Sequence, residues 1–89
     1  MAAPDADKST PKIVAVIDIG ANSVRMVIAQ VSADRRIEVL ERTQRAVRLG
    51  HDTFRSGRLS QRTMSAALAI LRDYKKLLDT YKAESVRAV

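Results

Sequence analysis

Ile13 to Val31, IVAVIDIGANSVRMVIAQV, is the stretch that decides the fold of this chain. Two apolar runs flank a short polar turn. The first, Ile13 to Ile17, is Ile, Val and Ala, with Asp18 following it. The second, Val24 to Val31, has Arg25 and Gln30 as its only polar positions. Between them sits Gly20-Ala21-Asn22-Ser23. β-Branched residues on either side of a Gly/Asn/Ser cluster predict a β-hairpin. Its tip carries Asp18, Asn22, Ser23 and Arg25, with Gly20 letting the backbone turn close to a ligand. A carboxylate able to hold a hydrated Mg²⁺, small donors, backbone amides and an Arg fork are parts that suit a phosphate group. As turn chemistry alone, Asp18 would cap nearby amides, Gly20, Asn22 and Ser23 would shape the turn, and Arg25 would face solvent.

Outward from the hairpin, Met1 to Pro11 is Ala, Pro, Asp, Lys, Ser and Thr. This composition predicts a disordered tail over 1–11 and leaves 12–89 as one domain. The first strand covers Lys12 to Ile19; its unbroken apolar run predicts burial on both faces and a central place in the sheet. The second covers Val24 to Val31, and Ser32 to Arg35 is a turn. A third, weaker strand over Ile37 to Val47 mixes Ile37, Val39, Leu40 and Val47 with Glu41, Arg42 and Arg45, as suits a strand partly exposed to water. Arg48 to Ser60, punctuated by Gly50 and Gly57, reads as a loop. Ser60 is placed to N-cap a helix over Gln61 to Tyr81, whose apolar stripe is Met64, Ala67, Leu68, Leu71, Tyr74, Leu78 and Tyr81. Another β-like run begins at Ser85. The order β-β-β-α-β gives an antiparallel meander, then a helical crossover to a parallel fourth strand.

Within this frame D-I-G-A-N-S-V-R, Asp18 to Arg25, resembles the first phosphate-binding loop of the exopolyphosphatase/guanosine pentaphosphate phosphatase family, within the actin/sugar kinase/Hsp70 superfamily. V-R-L-G at Val47 to Gly50 agrees, as does F-R-S-G-R-L-S at Phe54 to Ser60 followed by a helix. The resemblance runs from about Ile13 to Val89. One departure is Ala21, where the family often has Ser, which removes a hydroxyl donor but no charge. The resemblance implies an α/β fold of the ribonuclease H-like class, here incomplete. It implies hydrolysis of terminal phosphoanhydride bonds in inorganic polyphosphate or guanosine pentaphosphate, with Mg²⁺. It assigns phosphate binding to Gly20, Asn22, Ser23 and Arg25, and places Asp18 at the phosphate and metal site. The family's catalytic Glu and second phosphate loop lie further along, so they are expected beyond Val89. The chain is expected to be the N-terminal part of a larger enzyme or a truncated reading frame. Arg48 and Gly50 read as structural, and His51, the only histidine, as a loop residue rather than a base.

Eighty-nine residues with 46% hydrophobic content can form one small core. There is no cysteine, which excludes disulfides and thiolate metal sites and fits a reducing cytoplasm. No stretch has the length of a membrane helix and no apolar signal-peptide core is present, so a soluble cytoplasmic protein without a membrane partner is expected. The net charge of +6 is uneven: Arg35 to Arg62 holds eight arginines against Glu38, Glu41 and Asp52. Such a segment attracts polyanions, or is simply a solvated surface. With one Phe, two Tyr and no Trp there is little to stack bases on, so nucleic acid is the weaker partner and polyphosphate the favoured one. A non-catalytic phosphate- or nucleotide-binding module is the alternative to an enzyme. One substantial helix can cover only one sheet face, so the other should stay open and invite homodimerisation or aggregation.

Overall fold

The structure, a computed structural model, describes residues 10–89, with the backbone only at Asp52. The tail expected over 1–11 lies outside the described residues up to position 9; Thr10 and Pro11 form no regular element. Four strands make one sheet. β1 (Lys12–Ile19), β2 (Ser23–Val31) and β3 (Ile37–Ala46) form the antiparallel meander, and β4 (Ser85–Ala88) lies parallel to β1. The spatial order is β3-β2-β1-β4, so β1 and β2 are the interior strands. This is the mixed α/β opening of a ribonuclease H-like domain.

Two helices precede β4: α1 (Leu49–Ser56) and α2 (Gln61–Tyr81). Helix α1 falls inside the segment expected to be a loop. Arg48 supplies no side-chain cap at its start, so nothing in the composition announces it. Its end is conventional: Gly57 adopts φ +72° and gives its N–H to the Thr53 carbonyl, with Arg55 in the last turn. Thus the two glycines that suggested a loop are a helix residue and a helix stop. Helix α2 begins as expected, with the Ser60 side chain accepting from the Thr63 N–H at 3.1 Å.

Strand pleating sorts the sheet into two faces. Ala15 and Ile17 of β1, with Val24, Met26 and Ile28 of β2, are buried with Val47 and with Ile70 and Tyr74 of α2. The opposite face carries Val14, Val16 and Asp18 of β1 beside Arg25 and Val27 of β2. Val16 there is 45% exposed, so β1 is central in the sheet but is not buried on both faces as its apolar run suggested. The physical reason is that α2 covers one face only. The helix stripe also sits one step round from expectation. Ala67, Ile70, Tyr74, Leu77, Leu78 and Tyr81 meet the core, whereas Met64, Leu68 and Leu71 are exposed. Apolar neighbours at 70 and 71 left that rotation open to either choice. A bulge explains the weak signal of β3: Glu41 pairs with Ile28 and Val39 with Ala29, so Leu40 is the extra residue and packs against the core.

Candidate anion-binding site at the hairpin tip

The tip is a tight closure. Gly20 gives its N–H to the Ser23 carbonyl at 2.9 Å, so its own amide belongs to the turn. A Cβ at Gly20 would lie 3.3 Å from that carbonyl, so what Gly20 offers the site is room for a close approach. Ala21 and Asn22 form the apex. Both of their carbonyls are taken: Gly50 donates to Ala21 at 2.8 Å and Val47 to Asn22 at 3.0 Å. The apex is therefore fastened from behind by the end of β3 and the first turn of α1. The fit there is close, since a Cβ at Gly50 would lie 2.8 Å from the Ala21 Cβ. V-R-L-G is thus the brace of the tip, a structural role as expected for Gly50. A second anchor comes from α2, whose buried Tyr74 hydroxyl donates to the Val24 carbonyl at 2.6 Å.

Asp18, Gly20, Ala21, Asn22, Ser23 and Arg25 line one cleft of about 280 Å³. The structure therefore brings together all five residues singled out from the sequence. Asp18 and Arg25 are cross-strand partners in the β1–β2 register and share the uncovered face. Neither side chain has a hydrogen bond or ion pair among the described residues. The cleft thus holds an unpaired carboxylate and an unpaired guanidinium side by side, with small polar residues between. That arrangement is suited to a group that is itself anionic and carries a cation. No cluster of three or more His, Cys, Asp or Glu able to hold a metal occurs among the described residues. A single carboxylate fits a hydrated Mg²⁺ carried largely by phosphate oxygens, since Mg²⁺ keeps most of its water and needs only one or two carboxylates.

A model of the Ppx/GppA phosphatase family matches residues 27–89. The chain belongs to the Ppx/GppA phosphatase family. That match begins just past the tip, but individual relatives extend across most of the chain. Exopolyphosphatase 2 of Mycobacterium tuberculosis is 38% identical over 79 residues, 85% of this chain and 25% of that protein. A bifunctional 3-dehydroquinate synthase/phosphatase of Fusobacterium nucleatum is 32% identical over 74 residues, 79% of this chain and 11% of its length. Among solved structures, a Ppx/GppA family member from Aquifex aeolicus superposes with a TM-score of 0.84 at 37% identity, covering 89% of this chain and 26% of that one. An exopolyphosphatase from Cytophaga hutchinsonii gives 0.79 at 28% identity, over 86% and 24%. The chain therefore spans about a quarter of the length of its exopolyphosphatase relatives. No helix of the described residues is long and apolar enough to cross a membrane.

The basic stretch is not one surface in this Ppx/GppA chain. Arg36 pairs with Asp34 at 3.1 Å and Arg45 with Asp73 of α2 at 3.0 Å. Arg45 pairs with Val24 in the register and Arg42 with Val27, so the pleat sends the two arginines to opposite faces. Arg55 and Arg58 line a separate cleft with Ser56, Leu59 and Ser60. Charge adjacent in sequence is thereby dispersed in space.

Proposed function

We propose that this chain supplies the first phosphate-binding loop of a phosphoanhydride hydrolase that releases terminal phosphate from inorganic polyphosphate. The observation that carries the reading is the cleft in which Arg25 and Asp18 stand unpaired around Gly20, Asn22 and Ser23. The guanidinium of Arg25 binds two oxygens of a terminal phosphoryl group and orients it. Asn22 and Ser23 donate to the remaining oxygens. Asp18 would hold a hydrated Mg²⁺, which would supply neutralisation of the charge on the phosphate oxygens. The braced apex keeps these groups in place as the substrate arrives, which limits the ordering cost of binding. The exopolyphosphatase names of the relatives support inorganic polyphosphate as the substrate. The lack of cysteine supports a reducing compartment such as the cytoplasm.

The test is phosphate release by the full-length enzyme, with long-chain polyphosphate and guanosine pentaphosphate compared at equal concentration of terminal phosphate. Faster release from polyphosphate, dependent on Mg²⁺, is the expected outcome. Saturable binding of both without release would make the protein a phosphate-binding module. Preference for the nucleotide would reassign the substrate.

A further inference from the structure

Arg25 borders two clefts. One is the tip site; the other, of about 280 Å³, lies on the uncovered sheet face and is lined by Arg25, Met26, Val27, Arg42, Thr43 and Gln44. The register explains the grouping. Gln44 is the cross-strand partner of Arg25, and Arg42 is the partner of Val27, two residues further along the same face. Like Arg25, Arg42 has no ion pair among the described residues. Glu41 points to the helix-covered face, where the Tyr81 hydroxyl donates to its carboxylate at 3.4 Å. Asp18 sits at the tip end of the face, beside Arg25. The second cleft thus has two unpaired guanidiniums and an amide, no lining carboxylate, and a shared wall with the phosphate loop.

We propose that Arg42 and Gln44 form a second anion subsite, which takes phosphates further along a polyphosphate chain whose end group is held at the hairpin tip. This rests on the tip being the terminal-phosphate site. Neighbouring side chains on one sheet face have a spacing of about 5–7 Å along and across strands, comparable to a short run of linked phosphates. A chain leaving Arg25 meets Gln44 and Arg42 next. A lone orthophosphate ends before it reaches them. The subsite therefore favours linked phosphates over a single phosphate group.

The experiment measures equilibrium binding of orthophosphate and of long-chain polyphosphate to the full-length enzyme over a salt series. Arg42→Ala is expected to weaken long-chain binding about tenfold, the worth of one charge-assisted contact, and to leave orthophosphate binding unchanged within about twofold. Its salt slope for long chains should fall by about one unit. Arg42→Lys should recover part of the loss. Arg45→Ala, on the other face, should leave both ligands unaffected. Arg25→Ala should weaken both ligands. If neither ligand responds to Arg25→Ala, the tip reading itself fails. If Arg25→Ala weakens both while Arg42→Ala weakens neither, or weakens both alike, the tip reading stands and the second subsite is overturned. An equal Arg42 dependence for single-stranded DNA of matched charge would also overturn it, by reducing the cleft to a general anion surface.

Discussion

At Gly50 the site and its support meet. The 2.8 Å distance between a Cβ there and the Ala21 Cβ cannot persist, so Gly50→Ala must push the apex away from α1. Overpacking of this kind costs about 1–3 kcal/mol where neighbours cannot yield. We expect Gly50→Ala to lower kcat/KM for polyphosphate about tenfold, and Ala21→Gly on top of it to restore most of the loss. Steady-state kinetics of the two singles and the double variant check this; failure of Ala21→Gly to rescue would show that the contact is not the cause. A polar cluster interrupting apolar strands singled out Asp18, Gly20, Asn22, Ser23 and Arg25, the family resemblance gave them a phosphate role, and the structure gathers them along one cleft. Gly50 read as loop punctuation with a structural role, without a sign of what it packs against. Its partner is 29 residues away, and no local pattern encodes such a contact.

Among the elements, α2 does two things. It covers one face of the sheet, and through Tyr74 it holds the start of strand β2 just past the tip. Tyr74→Phe keeps the ring and removes the donor to the Val24 carbonyl. A loss of about 1–2 kcal/mol in stability is expected, the cost of stranding a buried acceptor. Chemical denaturation of the full-length protein reads it, and an unchanged midpoint would contradict it. Strands β1 and β2 were legible as β-branched apolar runs on either side of a polar turn, and helix α2 from its 3.6 period and its Ser60 cap. Helix α1 was hidden because its N-cap is Arg48, not a Ser, Thr, Asp or Asn, and because Gly50 lies in its first turn. The face α2 buries was only half legible. Apolar residues at 64, 68 and 71 compete with 70 and 77 for the core, and only the sheet decides between them.

Across the described residues as a whole, the face of the sheet opposite α2 is the governing feature. Val16 and Val39 stand 45% and 41% exposed there, among Arg25, Arg42 and Asp18. Residues 1–89 expressed alone are expected to self-associate through this face. Light scattering checks this, and a monodisperse monomer with a sharp cooperative melt would contradict it. One apolar strand between two partners was readable in the sequence, and so was the single long helix that covers one face of the sheet among the described residues. The central claim, that the hairpin tip holds the terminal phosphate, is tested most directly by phosphate release from polyphosphate across a Mg²⁺ titration of the full-length enzyme. Wild type, Arg25→Ala and Asp18→Asn are compared. The account predicts a loss of about 1.5–3 kcal/mol in transition-state binding for Arg25→Ala, roughly ten- to a hundredfold in kcat/KM. It predicts a severalfold higher Mg²⁺ requirement for Asp18→Asn with unchanged folding. Full activity of both variants at every Mg²⁺ concentration would contradict it.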